Sequence, residues 1–412
     1  MTATRTLDYT ALRDRLSKGK KSLHARLAAD LRDRAKQSAV EAQVARAWEA
    51  ERKAERTAAD QTEFTERLCG QVATAWLLST LFVRVLEDRG FLRAPRLFGP
   101  VAAEAQRAMI ELAPRTGPRD YLLLVFDELR QFPVTRPLFD TAHNLAWRLT
   151  PSQPLAQALI DFWAEAEDGE PVFPFGREAT PDTAFLGDLY QDIDAEVKDQ
   201  YALLQTPPFV ARFILDRTLT PALEAFGLGE PDDPTRLIDP TCGSGHFLLL
   251  AFERLLAAWK DKAPGAGKKA HVERALRAIH GVDLNPYAIA IARFRLTLAA
   301  LEALEVKTID QAPALPIDLV VADSLLHGEG GQLPLRADDG HAFDAVFDVE
   351  EPELAEQILG RRYHVVVGNP PYITVKDKAQ NEAIRGLYST CHRQYSLGAV
   401  SYTHLRAHET KA

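Results

Sequence analysis

Four short apolar runs, each ending in an acid or an amide, constrain this chain more than any other feature of it. Residues 236–239, 279–284, 317–322 and 363–368 are rich in Ile and Val, the signature of buried strands. Residues 246–259 and 286–304 carry helical spacing between them, and 207–218 reads as a helix opened by prolines. Alternation of this kind builds a parallel sheet with helices on both faces. Ligands then bind at the carboxyl ends of the strands, near the point where strand order reverses. The stretch 324–362, rich in Gly and Asp with one short helical piece, reads as a long insertion at that rim.

The first half of the chain has a different texture. Up to about residue 60 it is dense in Arg, Lys and Ala with acids interleaved, which predicts one or two solvated, charged helices. Residues 65–86 turn to Leu, Val and Phe, a helix that Glu87-Asp88-Arg89-Gly90 should stop. Further helical patterns occupy 119–129 and 155–166. This divides the chain into a helical domain over 1–166, a linker and connecting helix over 167–204, and a sheet domain over 205–400. Two weak motifs are set aside. Pro181-Asp182 with Glu196-Val197-Lys198 has the loose spacing of a metal-dependent nuclease, but Glu196 and Lys198 fall in a polar helical pattern, 192–204, where a strand is required. The Pro264–Lys269 segment lacks the Ser/Thr and the preceding strand of a phosphate loop and reads as a plain loop.

Composition excludes several classes. A net charge of −9 over 412 residues argues against a chain that is basic all over, although a local basic face would suffice for nucleic acid. Cys69, Cys242 and Cys391 are widely separated, so neither a disulfide framework nor a metal site is expected. The N-terminus lacks an apolar signal core, and the run 72–86, interrupted by Ser79, Thr80 and Arg84, reads as too short to span a bilayer. The expected setting is cytoplasmic and reducing, with no membrane partner.

Chemistry gathers at the four strand ends. In Asp239-Pro240-Thr241-Cys242-Gly243-Ser244-Gly245, Gly243 and Gly245 permit a tight turn that a ligand can approach closely. Asp283, in Gly281-Val282-Asp283-Leu284-Asn285-Pro286, is placed to accept from two ribose hydroxyls. Asp323, followed by Ser324, can accept from an exocyclic amine. Asn369-Pro370-Pro371-Tyr372 ends the last strand, because proline brings no N–H to a ladder. It presents a carboxamide, freed carbonyls and an aromatic plate, a set suited to a planar group bearing an amine. A dinucleotide site fits less well: Leu248 stands where its third glycine belongs, and Asn369 to Tyr372 would have no task.

In this order the four motifs resemble the amino-terminal part of N6-adenine-specific DNA methyltransferases, more narrowly the large enzymes of BREX (Pgl-type) phage defence and the fused type II restriction–modification enzymes. Gln205-Thr206-Pro207-Pro208 fits the turn that closes over the methyl donor in that family. The resemblance implies a Rossmann-like S-adenosylmethionine-dependent methyltransferase sheet, α/β and incomplete, preceded by an all-α N-terminal domain. It implies a donor held by Thr206, Pro207, Asp239, Pro240, Thr241, Gly243, Gly245, Asp283, Leu284, Asp323 and Ser324, with no metal. It further implies a target adenine rotated out of double-stranded DNA. The side chain of Asn369 and the carbonyl of Pro370 would accept the N6 hydrogens, Pro371 and Tyr372 would complete the site, and Tyr372 would stack on the base. A cytosine-C5 enzyme would need a Pro-Cys nucleophile, whereas Cys242 follows Thr241 and reads as packing. Host self-marking would bring other defence-system proteins as partners. Two alternatives stay open: a protein-glutamine methyltransferase, which meets the same chemical problem in an amide nitrogen, and an inactive subunit that only holds DNA. Residues 401–412 do not resemble the family and read as a non-native tail, so the chain is expected to be a truncated and poorly active piece.

Overall fold

In a computed structural model, the described residues are 5–53, 59–193, 206–325, 352–370 and 385. They fall into two compact units, one drawn from 5–193 with 306–313, the other from 206–305, 314–325 and the described residues after 351. Pro371, Tyr372, the nuclease-like Glu196 and Lys198, and the tail 401–412 lie outside the described residues.

The first unit is helical. Helices α1 (Tyr9–Ser17), α2 (Leu23–Ala35) and α3 (Ser38–Lys53) open it, α1 and α2 capped by the side chains of Asp8 and Ser22. The expectation of one or two solvated helices is corrected here. Leu12 and Leu16, and Leu23, Leu27 and Leu31, recur every four residues and are buried, so each charged helix keeps one apolar stripe for the core. That core is built around α4 (Gln61–Asp88), against which α2 packs. α4 is long and apolar enough to cross a membrane by length and composition, contrary to the sequence expectation, and its apolar window is buried inside this unit. Trp76 donates to the Leu149 carbonyl at 3.0 Å and meets the ring of Phe126 at 5.3 Å. Helices α5 (Gly99–Leu112), α6 (Pro118–Arg130), α7 (Arg136–Phe139) and α8 (Gln153–Ala164) follow. A two-strand hairpin, β1 (Ala166–Glu167) and β2 (Glu170–Pro171), comes next, then α9 (Ala184–Ile193). Within the stretch read as linker, Phe173 and Phe175 are buried.

The second unit is α/β. Helices α10 (Pro208–Arg217) and α11 (Leu219–Phe226) and a short hairpin, β3 (Gly229–Glu230) with β4 (Asp233–Pro234), lead into the sheet. Its strands are β5 (Leu237–Asp239), β6 (Ile279–Asp283), β7 (Asp318–Val321) and β8 (Val365–Val366), in the order β7-β6-β5-β8. All three pairings are parallel; Asp239 lies opposite Gly281, Asp283 opposite Val321, and Leu237 opposite Val365. Order reverses at β5, so the first and last strands flank the switch. Side chains alternate between faces. Leu237, Ile279, Leu319 and Val365 join the core formed with α10, α12 (His246–Lys262), α13 (Gly267–Arg277) and α14 (Pro286–Leu304). Ile238, Val282 and Val320 face α15 (Pro352–Leu359) on the other side. Residues 264–269 are not a loop: a 3-10 turn covers Pro264–Ala266, and Lys268 and Lys269 begin α13.

Candidate active site

Every parallel strand directs its carboxyl end to the same rim, so sequence order alone brings Asp239, Asp283, Asp323 and Asn369 to one edge. The turn after β5 is held from several sides. Thr241 donates its N–H to Asp239 at 3.1 Å, Cys242 donates to the Val282 carbonyl at 2.9 Å, and Gly243 donates to Asp283 at 2.8 Å. Gly243 and Gly245 take φ of +53° and +81°, which disfavours other residues. Space around a Cβ at Gly243 is open, whereas one at Gly245 would meet the Ala292 Cβ at 2.9 Å. One glycine therefore leaves room at the rim, and the other lets α14 press against the turn.

Asp283 also accepts from the Asn285 N–H at 2.9 Å, and Asn285 caps α14 through the N–H groups of Tyr287 and Ala288. Leu284 beside it is 41% exposed, an apolar side chain left at the rim. Asp323 accepts from the Leu325 N–H at 2.9 Å, and Ser324 is buried. Burial pushes the Asp239 carboxyl up to about 8, with its Thr241 hydrogen bond opposing and the neighbouring Asp283 adding to the rise. Burial raises Asp283 as well. Among the described residues neither carboxylate is paired with a cation. The Thr241 hydroxyl is buried and has no hydrogen-bond partner among them.

The last strand delivers Asn369 and Pro370 to this place. A Cβ on Gly368 would lie 3.1 Å from the Thr241 Oγ1 and 3.2 Å from an Asp239 carboxylate oxygen, so the backbone leading into Asn369 runs directly over the β5 turn. Thr206 is buried, and the exposed Pro207 precedes α10. The structure thus gathers Asp239, Pro240, Thr241, Gly243, Gly245, Asp283, Leu284, Asp323, Ser324, Asn369 and Pro370 along one edge.

One contributor is invisible in sequence. Arg295, buried in the middle of α14, donates to the Ser244 carbonyl at 2.6 Å, and Arg293 donates to the Leu319 carbonyl at 2.9 Å. The only hint was two arginines in the middle of a mostly apolar helix. Cys242 is buried beneath the turn, its thiol pushed well up by burial.

Residues 233–410 match the DNA-methyltransferase domain family of MmeI. The chain is 41% identical over 371 residues to the adenine-specific methyltransferase PglX of Streptomyces coelicolor, covering 84% of this chain and 30% of that protein. It therefore spans about a third of the length of that curated relative. Among solved structures, a DrdV–DNA complex covers 91% of this chain at 16% identity and a TM-score of 0.48. The type IIL restriction–modification enzyme MmeI bound to DNA covers 82% at 15% identity, also with a TM-score of 0.48. The resemblance to adenine-specific DNA methyltransferases of the Pgl and restriction–modification type, read from four motifs, is shown by the family match and by the Streptomyces relative.

Proposed function

We propose, from that kinship, that the protein transfers a methyl group from S-adenosylmethionine to N6 of adenine in double-stranded DNA, as self-marking in phage defence or restriction–modification. On this reading the second unit is a Rossmann-like methyltransferase domain. The observation that carries the reading is the close approach of Gly368 to Asp239 and Thr241, since it brings an acceptor-rich segment over the turn that would hold the donor.

The residues present fit such a donor. Open space at Gly243 and, among the described residues, a Thr241 hydroxyl without a hydrogen-bond partner and two sunken carboxyls without a cation suit a ligand that carries positive charge. The exposed Leu284 offers an apolar surface to a base, and Asp283 an acceptor to ribose hydroxyls. When bound, S-adenosylmethionine supplies the electrophilic methyl group. Asp239, Thr241 and Gly243 would hold its amino-acid end, Thr206 and Pro207 would cover it, and Asp323 with Ser324 would meet its adenine.

Adenine N6 is a poor nucleophile because its lone pair is delocalised into the ring. The Asn369 carboxamide oxygen and the Pro370 carbonyl would each accept one N6 hydrogen and draw the nitrogen toward tetrahedral geometry. The lone pair is then localised and aimed, which is preorganisation and positioning without a covalent intermediate. Pro371 and Tyr372 would complete the site, Tyr372 as a plate for the extruded base.

The test is label transfer from methyl-labelled S-adenosylmethionine to unmethylated duplex DNA or to a Gly-Gly-Gln peptide. Label at adenine N6, reduced about 100-fold or more by Asn369→Ala, is expected. Label in the peptide alone would overturn the reading.

A further inference from the structure

Helix α10 keeps Ala211 and Leu215 in the core and turns a second, aromatic stripe outward. Phe209 and Phe213 are 73% and 58% exposed, and they stand four residues apart on one face. The Arg217 guanidinium lies over the Phe213 ring, 5.2 Å from its centre, which continues the stripe by another turn. Arg212 is exposed on the same side. Two acids lie near this face, Asp216, paired with Arg254 at 2.7 Å, and Glu253, which feels the charge of Arg212; with Arg212, Arg217 and Arg254 against them the face keeps a positive excess within a chain of net charge −9.

We propose that the outward face of α10 is a docking surface for nucleic acid, with Phe209 and Phe213 packing against bases or sugars and Arg212 and Arg217 meeting the flanking phosphates. Aromatic plates interleaved with guanidinium groups are the pattern that binds nucleic acid with little regard for sequence. A second copy of the chain or another protein would bury the two rings equally well, but only a polyanion offers both flat rings for stacking and evenly spaced charges for Arg212 and Arg217. The inference rests on the proposed action on DNA and adds to it a surface that begins where Thr206 and Pro207 end.

The experiment is fluorescence anisotropy of the full chain with a labelled 30-base-pair duplex and the matching single strand, without methyl donor, at two salt concentrations. Phe209→Ser with Phe213→Ser should weaken binding about tenfold or more while leaving the thermal melt unchanged. Arg212→Gln with Arg217→Gln should lower the slope of log affinity against log salt by about 2. Unchanged DNA affinity in both double variants would overturn the proposal, as would failure of the unmodified chain to bind either probe. A dimer that dissociates on Phe substitution at constant DNA affinity would also overturn it and assign the face to a second copy. Binding lost in the variants while the unmodified chain binds but never methylates DNA would uphold this surface and sink only the methylation reading.

Discussion

A pair of neighbouring carboxylates lies sunk in each unit, and the two pairs are treated in opposite ways. At the end of α4, Arg84 is fully buried and pairs with both Glu87 and Asp88. Glu87 also accepts the backbone N–H groups of Arg96, Leu97 and Phe98, and Asp88 accepts that of Phe175. This knot is closed: the cation and the donors that balance it belong to the fold. At the sheet rim, Asp239 and Asp283 receive backbone N–H groups and, among the described residues, no cation. That pair is open. A buried charge balanced from within joins distant segments, whereas a carboxyl that burial keeps protonated at a strand end can ionise when a ligand brings the opposite sign.

Substitutions can break this contrast. Arg84→Leu should have the largest effect, a loss of about 3–5 kcal/mol in urea unfolding, because it strands two carboxylates. A loss under 1 kcal/mol would show that the knot is not closed as described. Asp239→Asn should leave the fold as stable as before or more so, since the charged form is what burial opposes. The same change should weaken S-adenosylmethionine binding by about 100-fold in calorimetry, the size of one charge-assisted hydrogen bond. Strong destabilisation by Asp239→Asn would place it with the knot.

The open pair also predicts a pH response. Below about pH 4 the Asp239 carboxyl is protonated in both folded and unfolded chains. Between that point and its folded value of about 8 only the unfolded chain releases the proton, so stability should fall as pH rises through this window. Asp239→Asn should flatten the fall, and donor affinity should rise over the same window as the carboxylate becomes available. A stability curve unaffected by the substitution would refute this. The smallest effect is expected from Gly368→Ala, whose Cβ would crowd Thr241 Oγ1 at 3.1 Å and Asp239 at 3.2 Å. A fall of about tenfold in methyl transfer with little change in melting corresponds to about 1.4 kcal/mol in the barrier.

Much of the sheet was legible because its strands are short β-branched runs bounded by Pro, Gly and Asp. The expected 236–239 and 279–284 differ from Leu237–Asp239 and Ile279–Asp283 by one residue at one end, 317–322 loses one at each end to Asp318–Val321, and 363–368 shrinks to Val365–Val366. Parallel order then carries the strand-end acids to one rim without further information. Helix α13 was missed because its first turn, Gly267-Lys268-Lys269, has loop composition, and only packing against α12 and α14 settles it. The knot at α4 was read merely as a helix stop. Its donors come from residues 96–98 and 175, and local sequence says nothing about such partners. Arg295 escaped for the same reason, since its meaning lies in a carbonyl fifty-one positions earlier.

Gly281 has no side chain, and a Cβ there would strike Leu248, Leu319 and the sulfur of Cys242. The thiol therefore sits sealed between two strands and a helix, directly beneath the loop above it. Alkylating reagents can reach it only when that loop lifts, so the rate of Cys242 modification is a built-in clock for how often the site opens, and a bound donor should slow it.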